Sequence, residues 1–366
     1  MAILHLELVS FRNHNKQEFN FISGLTVIWG ENGSGKTAIL EAIHVLSFGR
    51  SFRTHKYREL IKNKSSQLVV RGNFGNNATQ DQVAVQMEKL SGIKLKLNGK
   101  SLTSRKELIG RNNVVVLSPE EQSVTKGAPI ERRKFFDKMF SVTSREYVDT
   151  LQNYNRVLKQ RNAVIQNAKD GSAPTKDIQS WDDQLISTGQ KLWLLRFEFI
   201  SIFQTMLSSV VSRYDNKILF DLIYLKEAPT QELHKSEIIN SLKKDIRLGR
   251  TTYGPHRDDI SLIWDKRDLR SQGSQGEHKL SMVLLKLTEM VFIREKTGKH
   301  PTLLLDDLFA KLDLGRSKKI VSLLQGLETE SGDPVQTIVT TTDLLNVEKS
   351  GLMSGEIENK TYNLKR

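Results

Sequence analysis

Gly30-Glu31-Asn32-Gly33-Ser34-Gly35-Lys36-Thr37 fits the phosphate-binding pattern G-x-x-x-x-G-K-[ST] and decides the fold of this chain. The apolar run before it, Leu25 to Trp29, predicts a buried strand, and the run after it, Ala38 to Phe48, predicts a helix with an apolar stripe. A strand, a glycine-rich turn and a helix in this order form the context that a P-loop requires. The sequence therefore predicts a fold that binds the phosphates of a nucleotide. A glycine-rich turn that matches by chance is the alternative.

The residue types in this turn suit ATP and Mg²⁺. Glycines let backbone N–H groups close around phosphate oxygens, and the start of a helix adds partial positive charge behind them. We expect Lys36 to reach the β- and γ-phosphates during catalysis and the Thr37 hydroxyl to ligate Mg²⁺. The predicted nucleotide-binding residues of the turn are Gly30, Glu31, Asn32, Gly33, Ser34, Gly35, Lys36 and Thr37.

Composition favours a soluble protein with a polyanionic partner. The 366 residues include 55 Lys and Arg against 42 Asp and Glu, which gives a net charge of +13. Nucleic acid is the commonest soluble polyanion, and a general solubility charge is the alternative. Cysteine is absent, which excludes disulfides, thiolate nucleophiles and cysteine-built metal sites. We find no signal-peptide pattern and no apolar run near the roughly 20 residues that span a bilayer, so we expect a cytoplasmic protein.

Three zones differ in their sequence pattern and together predict an α/β protein. Residues 1–119 carry short alternating segments, and the dipeptide Asn98-Gly99 predicts a hairpin turn between two of them. Residues 120–245 are mainly helical. Residues 246–366 return to alternating strands and helices, including a strand at 260–264. We expect the first and third zones to form one head, with the second zone inserted as a helical arm.

An acidic pair supplies the second half of the predicted site. Leu303-Leu304-Leu305 reads as a buried strand that ends at Asp306-Asp307, which is the arrangement of a Walker B motif. We expect Asp306 to hold Mg²⁺ and Asp307 to act as the general base for the attacking water. Two surface acids at the end of a strand are the alternative, which the P-loop in the same chain disfavours.

A third element stands between the arm and the acidic pair. Ser274-Gln275-Gly276 precedes a long predicted helix, and a turn of this kind at a helix N-terminus binds anions. ABC-type ATPases place their signature loop here, and Ala310-Lys311-Leu312-Asp313 resembles the D-loop that follows Walker B in those enzymes. A helix-capping turn is the alternative for the serine. The order of P-loop, long insertion, signature, Walker B and D-loop matches the SMC-like branch of these ATPases.

The chain resembles the RecF family of bacterial recombination and repair ATPases from end to end. The strings that carry the resemblance are Leu8 to Asn13, the P-loop Gly30 to Thr37, Ser51 to Thr54, Leu117 to Glu120, Lys126 to Pro129, Glu131 to Asp137, the distinctive Gly254-Pro255-His256-Arg257-Asp258-Asp259, the Ser274 to Gly276 signature, and Asp306-Asp307.

This resemblance implies a fold, an activity and partners. The implied fold is a P-loop ABC-type ATPase head with an inserted helical arm, SMC-like but without a long coiled coil. The implied function is ATP-dependent DNA binding in recombinational repair and replication, with a homodimer formed on ATP, weak DNA-stimulated hydrolysis, and help to RecR and RecO in loading RecA and inducing the SOS response. Another SMC-like ATPase acting on DNA ends is the alternative, and a transporter nucleotide-binding subunit is a further one.

The sequence departs from the pattern of most ABC-type ATPases at three points. The signature is not the Leu-Ser-Gly-Gly-Gln of transporters. Asp307 occupies the base position, where most of these enzymes have the longer Glu, so slow turnover is expected. No switch histidine stands near Thr342, and Gln122 competes with Glu120 and Glu121 for the Q-loop position. These departures leave the γ-phosphate sensor open.

Clusters of basic residues provide candidate DNA contacts. Long cations suit phosphate contacts that carry no sequence information, and no base-reading module is recognisable. The strongest candidates are Arg132, Arg133 and Lys134, because the buried Phe135-Phe136 beside them fixes their orientation. A solvated helix face is the alternative for this cluster and for the groups at 105–111, 156–161 and 243–250.

Overall fold

A computed structural model of the protein describes residues 2–75, 80–90, 92–118, 122–172, 174–308, 314–326, 335–354 and 358–365. The strands are β1 (Ala2–Val9), β2 (Lys16–Asn20), β3 (Leu25–Gly30), β4 (Gln67–Gly75), β5 (Gln80–Glu88), β6 (Gly92–Leu97), β7 (Lys100–Ser101), β8 (Val114–Leu117), β9 (Phe220–Ile223), β10 (Ser261–Trp264), β11 (Arg267–Asp268), β12 (Thr302–Asp306), β13 (Thr337–Thr341) and β14 (Asn359–Leu364).

The helices are α1 (Lys36–Phe48), α2 (Ser123–Lys126), α3 (Pro129–Thr143), α4 (Arg145–Lys169), α5 (Lys176–Gln179), α6 (Asp182–Tyr214), α7 (Gln231–Leu248), α8 (Leu269–Gln272), α9 (Gln275–Thr297), α10 (Leu314–Gln325) and α11 (Leu344–Ser350). The chain divides into two compact units, Met1–Glu121 with Met282–Arg366, and Gln122–Ser281. The predicted D-loop at 310–313 and the competing Q-loop residues Glu120 and Glu121 lie outside the described residues.

Five parallel strands form the central sheet of the first unit, in the order β14-β3-β13-β12-β8. Every residue of β8, β12 and β13 is buried, as expected of strands covered on both faces. Strand β13 lies between β3 and β12, and its Val339 pairs with Val27 on one side and Leu305 on the other. Because these strands are parallel, their carboxyl ends meet at one edge of the sheet, where ligands bind in open α/β folds. The edge therefore brings the P-loop after β3 close to the acidic pair after β12.

A second, antiparallel sheet of the same unit runs in the order β2-β1-β4-β5-β6-β7. Its strands alternate between buried and exposed residues, with Val83, Val85 and Met87 of β5 on the buried face. The turn between β6 and β7 has φ of 50° at Asn98 and 80° at Gly99, which is the pair of positive values that a type I′ turn requires. The hairpin predicted from Asn98-Gly99 is confirmed.

One buried glutamine joins β1 to the parallel sheet. The Gln336 side-chain NH₂ donates to the carbonyl oxygens of Ile3 at 2.7 Å and Ile22 at 2.8 Å. Its Oε1 accepts from the Ile3 N–H and from Thr302 Oγ1, each at 2.8 Å. With all of these groups paired, burial of the amide carries little penalty. The start of the chain is thereby fixed to β12 and β13.

The second unit is mainly helical and contains one small sheet. Its long helices are α3, α4, α6 and α7, and its three strands run in the order β11-β10-β9. Phe136 packs edge-on against Phe203, with ring centroids 5.2 Å apart, and Phe140 does the same against Phe199 at 5.2 Å. These contacts pack α3 against α6 in the core of this unit.

The second unit ends later than the boundary that the sequence pattern places at residue 245. Helix α7 runs through that position to Leu248, and β10 pairs with β9 within the same unit. The alternating pattern at 260–264 predicts a strand but carries no information about its pairing partner. The small sheet is thus the physical reason that residues 246–281 belong to the arm rather than to the head.

Helix α6 is more apolar than the sequence pattern predicts, since no membrane-spanning apolar run was expected in this chain. An 18-residue stretch of the helix that ends at Tyr214 has a mean hydropathy of 1.4, which by length and composition alone is enough to cross a membrane. Core helices of soluble proteins have the same property. Here Trp193, Phe203 and Leu207 of the helix are buried in the unit, and Arg196 in the same helix is buried and ion-paired.

Candidate functional site

The P-loop adopts a backbone conformation that only glycine tolerates at two positions. Gly30 has φ of 152°, and a Cβ there would lie 2.3 Å from the Leu364 carbonyl oxygen. Gly35 has φ of 101°, and a Cβ there would lie 2.5 Å from His14 Nε2. Gly35 also caps α1 without any side-chain hydrogen bond, which leaves the first N–H groups of that helix for an anion.

The Lys36 side chain is held in place by backbone carbonyl groups of the P-loop. Its Nζ donates to the carbonyl oxygens of Gly30 at 2.7 Å and Glu31 at 2.8 Å, and the residue is 8% exposed. Burial lowers the pKa of Lys36, while the nearby carboxylates of Asp307 and Asp306 oppose that shift. The ammonium is therefore positioned with few bonds to water and with two carbonyl partners that a phosphate oxygen can replace.

Thr37 and Asp306 meet as a magnesium site requires. Thr37 Oγ1 donates to Asp306 Oδ1 at 2.9 Å, across the edge of the parallel sheet. Thr340 Oγ1, at the end of β13, donates to the same oxygen at 2.7 Å. A hydroxyl and a carboxylate are the hard oxygen ligands that Mg²⁺ prefers in phosphate sites. The two residues that the sequence assigns to the metal are therefore in direct contact.

Asp307 takes an unusual backbone conformation beside this pair. Its φ is 51°, in the left-handed region that costs non-glycine residues about 1–3 kcal/mol, although Asp tolerates it better than most. Its N–H donates to the Thr340 carbonyl oxygen at 3.1 Å, which turns the chain at the end of β12. The turn places Asp307 on the wall of the cleft rather than in the sheet.

These residues line one cleft of the first unit, with a volume of about 1050 Å³. Asn32, Gly33, Gly35, Lys36 and Thr37 form one side, together with Asp306, Asp307 and Thr342. The Ser34 hydroxyl is buried at the turn and has no hydrogen-bond partner among the described residues. It can therefore form one more polar contact with a ligand. The backbone and side-chain donors of the P-loop and the size of the cleft fit a nucleoside triphosphate with Mg²⁺.

The turn between β1 and β2 supports the P-loop. This support was not predicted from the sequence. Asn13 Nδ2 donates to the Gly33 carbonyl oxygen at 3.2 Å, and the His14 ring lies 3.1 Å from the Gly35 carbonyl oxygen through Nε2. Burial lowers the pKa of His14, so its neutral form is favoured. The sequence signals at this turn are a short polar run, Arg12 to His14, after an alternating strand, and the Leu8 to Asn13 string of the family resemblance.

A buried carboxylate on α1 is the second support that the sequence did not reveal. Glu41 is fully buried and accepts two hydrogen bonds from Arg12, from Nε at 2.7 Å and from Nη2 at 2.6 Å. The Ser51 hydroxyl donates to the same carboxylate. Glu41 thus joins the β1–β2 turn, helix α1 and the segment that follows that helix.

The predicted signature residues lie in the second unit, at the start of α9. Ser274 Oγ accepts from the Glu277 N–H at 3.2 Å, and Glu277 Oε2 accepts from the Ser274 N–H at 2.6 Å. This reciprocal pair is a capping box, the alternative reading of the serine, and it leaves Ser274 and Gln275 exposed with Gly276 beside them. Capping and ligand binding are compatible, because a capped helix start still presents N–H groups to solvent.

The predicted DNA contacts Arg132 and Arg133 form polar contacts within the arm. Arg132 is 3% exposed and forms a two-pronged ion pair with Asp259, with Nε and Nη2 each 2.9 Å from a carboxylate oxygen. Arg133 donates to the Asp258 carbonyl oxygen. The Arg132 guanidinium is thus paired with an acidic side chain of the arm. Arg133 is half-buried and has a backbone partner, so its contact with DNA stays a prediction. Lys134 is exposed and pairs with Glu131 at 2.9 Å, and its contact with DNA stays a prediction.

A metal-binding cluster beyond Walker B would have supported a nuclease. Within the described residues, no group of three or more His, Asp and Glu side chains is arranged to hold a metal ion.

Comparison with known proteins agrees with this geometry. Residues 2–360 match the RecF/RecN/SMC N terminal domain. The chain is 31% identical to the DNA replication and repair protein RecF of Thermoanaerobacter pseudethanolicus, over 90% of this chain and 93% of that protein. It is 33% identical to RecF of Clostridioides difficile, over 90% of each. The chain belongs to the RecF family.

Solved RecF structures share the fold. The recombination mediator protein RecF-ATP of the RecFOR pathway has a TM-score of 0.87 and 28% identity, covering 99% of this chain and 95% of that chain. The SMC head bound to the C-winged helix domain of ScpA has a TM-score of 0.54 at 19% identity, covering 95% of this chain and 92% of that one, and shows the fold alone. The protein therefore has the α/β fold of a P-loop ABC-type ATPase head with an inserted, mainly helical unit.

Proposed function

We propose that this RecF-family chain is an ATP-dependent DNA-binding protein of recombinational repair and replication, with a weak, DNA-stimulated ATPase activity. The observation that carries the proposal is the contact between the Thr37 hydroxyl and Asp306 at 2.9 Å, beside a P-loop whose lysine is held for phosphate. Family membership supports the DNA role, and the +13 net charge supports a polyanionic partner.

The residues divide the work of hydrolysis. The N–H groups of residues 33–37 and the Lys36 ammonium hold the phosphates. Thr37 and Asp306 would hold Mg²⁺, which would supply positive charge to the phosphates. Asp307, turned onto the cleft wall, orients the attacking water and accepts its proton. Because Asp is one methylene shorter than Glu, we expect slow turnover, which suits a timer on DNA.

We propose that the active form is an ATP-dependent homodimer. A P-loop covers one side of the phosphates, and the exposed turn at Ser274 to Gly276 provides a second set of N–H donors for the γ-phosphate held by the other subunit. These contacts exist only in the dimer, so ATP stabilises it and hydrolysis releases it. The dimer would act in the cytoplasm with DNA and with RecR-, RecO- and RecA-like proteins, aiding RecA loading and SOS induction.

The decisive experiment measures hydrolysis and DNA binding together. We expect ATP turnover that requires Mg²⁺, rises with added DNA and leaves the DNA intact. Electrophoretic mobility of gapped, duplex and single-stranded DNA should show tighter binding with ATP than without. Absence of ATP binding, or DNA affinity that ATP does not change, would contradict the proposal, and cleavage of the DNA would indicate a nuclease.

The dimer has its own test. Sedimentation of Asp307→Asn protein with ATP should give a dimer, because hydrolysis no longer releases it. Adding Ser274→Arg should return a monomer while ATP binding remains. Ser236→Arg, at an exposed serine of α7 in the same unit, is the matched control and should leave the dimer intact. A monomer at saturating ATP and DNA, or a dimer with Ser274→Arg, would refute the arrangement.

A further inference from the structure

Segment 50–64, which follows α1, concentrates positive charge. It contains six Lys and Arg residues and a single acidic residue, Glu59: Arg50, Arg53, Lys56, Arg58, Lys62 and Lys64. All of these cations except the half-buried Lys62 are exposed. The segment is therefore far more basic than the chain as a whole, in which acidic residues offset three quarters of the cations.

The same segment borders the nucleotide cleft. Arg53, Arg58 and Lys62 line the cleft that holds Lys36, and Lys89 at the end of β5 lines it as well. The Lys89 N–H donates to the Ser66 carbonyl oxygen at 3.1 Å, which fixes that lysine beside the segment. Lys56 and Lys64 are exposed but do not line the cleft, so the positive surface continues beyond it.

Like charges crowd this surface. Partial burial of the guanidinium of the otherwise exposed Arg50 lowers its pKa, and so does the like charge of Arg105, which also contacts the Tyr57 hydroxyl. Glu59, the one acid of the segment, accepts a hydrogen bond from Thr54 at 2.7 Å and lies 3.7 Å from Lys56. Unbalanced cations held close together raise the free energy of the unliganded protein and are relieved by a polyanion.

The segment is anchored rather than loose. The Arg12 N–H donates to the Leu60 carbonyl oxygen at 2.7 Å, and the Lys62 N–H donates to the Ser10 carbonyl oxygen at 2.8 Å. Arg12 Nη1 also donates to the Glu59 carbonyl oxygen at 2.8 Å while its other nitrogens bind Glu41. The basic surface is thus built on the β1–β2 turn that supports the P-loop, so a ligand on the surface and one in the cleft share a rigid support.

We propose that the basic surface formed by segment 50–64 and Lys89 binds the phosphate backbone of duplex DNA. The inference deepens the proposed function, on which it rests, by assigning the DNA contact to the head and to the rim of the nucleotide cleft. A nucleotide accounts for the cations inside the cleft but not for exposed Lys56 and Lys64 outside it. A repeating polyanion accounts for both, and exposed lysines and arginines suit contacts that ignore base sequence.

The test compares two triple variants with the same change of charge. The surface variant is Arg58→Gln, Lys64→Asn, Lys89→Gln, with Asn chosen because Lys64 has φ of 68°. The control variant is Lys176→Gln, Lys217→Gln, Lys235→Gln, at three exposed lysines of the second unit that lie outside the basic clusters. Affinity for a duplex oligonucleotide is measured by fluorescence anisotropy against salt concentration, without nucleotide, and ATP affinity is measured separately without DNA.

We expect the surface variant alone to lose DNA affinity. Three lost phosphate contacts should reduce the steepness of the log–log salt dependence by about 2 to 3 and weaken binding by about 10²-fold near 0.1 M salt. Equal losses in both variants, or none in either, would overturn the proposal. Loss of ATP affinity with unchanged DNA affinity would assign the surface to the nucleotide instead. Failure of the ATPase proposal would appear in the ATP measurement of the unmodified protein, so the two outcomes are distinguishable.

Discussion

Of the three Asp-Asp pairs in the chain, Asp258-Asp259 of the arm and Asp306-Asp307 of the head are used in opposite ways. In the arm, Asp258 accepts from Trp193 Nε1 at 2.8 Å and from the Tyr224 hydroxyl at 2.6 Å, and it lies 3.2 Å from Arg196 Nη1. Asp259 pairs with Arg132. In the head, the described partners of Asp306 are the hydroxyls of threonines, and Asp307 faces a cleft.

The two pairs differ in whether their described partners are cations or neutral hydroxyls. A buried carboxylate paired with arginine has its charge neutralised by the protein, and its removal leaves an uncompensated cation. A carboxylate held by hydroxyls keeps its charge for a ligand that comes from outside. Burial alone does not distinguish them, since Asp258 and Asp306 are both largely buried; the partner's charge does.

The largest expected effect tests the head pair. Asp307→Asn keeps the shape and the tolerance for positive φ but removes the proton acceptor, so DNA-stimulated hydrolysis should fall by about 10²–10⁴-fold. ATP affinity should remain. Steady-state phosphate release measures the rate, and Asp343→Asn, at the helix cap of α11 in the same unit, controls for loss of a carboxylate. Normal hydrolysis by Asp307→Asn would place the base elsewhere.

The arm pair is tested by removing its cation. Arg196→Met leaves Asp258 and Asp137 buried without their shared partner and should cost about 3–5 kcal/mol of unfolding free energy in the arm. Urea unfolding followed by tryptophan fluorescence measures this, because three of the four tryptophans lie in the arm. Lys191→Met on the same helix removes an exposed ion pair with Glu146 and should change stability little. Similar losses of unfolding free energy in Arg196→Met and Lys191→Met would show that the buried ion pairs of Arg196 stabilise the arm no more than an exposed one.

Acidification should also act on the arm. His256 Nδ1 lies 2.6 Å from the Tyr154 hydroxyl and Nε2 lies 3.1 Å from the Thr251 carbonyl oxygen, and burial lowers the pKa of His256 to about 4. Between about pH 6.5 and 4 the unfolded chain binds more protons than the folded one, so stability rises with pH across that window. The contribution present above pH 6.5, at most about 3 kcal/mol, is lost as pH falls to 4.

Urea unfolding from pH 7.5 to 4 checks this pH dependence. The His256→Gln variant should lose less stability over the same range than the unmodified protein, because its side chain does not titrate. An NMR titration that found His256 protonated above pH 6 would contradict the assignment.

The smallest of these effects concerns the P-loop cation. Lys36→Ala removes a charge-assisted contact with phosphate and should weaken ATP binding by about 1.5–3 kcal/mol, or roughly ten- to a hundred-fold. Isothermal titration measures it, with Lys299→Ala as a control at an exposed lysine of the same unit. Unchanged ATP affinity in Lys36→Ala would show that the cleft does not hold phosphate at this position.

Several features of the fold were predictable because they depend on neighbours in the sequence. The P-loop, the apolar strand that ends at Asp306-Asp307 and the type I′ turn at Asn98-Gly99 are all written in a few consecutive residues. Their backbone geometry follows from glycine, from apolar runs and from the allowed dihedral angles of each residue.

Other features were beyond the sequence because they depend on residues far apart in the chain. Arg132 reads as a surface cation until Asp259, 127 positions away, pairs with it. The strand at 260–264 is evident from its pattern, but its pairing with β9, which moves it into the arm, is not. Nothing in the sequence around Glu41 predicts that its carboxylate accepts hydrogen bonds from Arg12 and Ser51.

The sequence by itself determined that this chain has a P-loop, a Walker B acid and the motifs of the RecF family, because local residue order specifies turns, strands and phosphate-binding backbone. Only the tertiary structure decided which charges remain available. Whether a buried or half-buried charge meets a partner inside the protein depends on long-range packing. That packing pairs Arg132 and Asp258 with opposite charges in the arm, whereas the described side-chain partners of Asp306 are threonine hydroxyls.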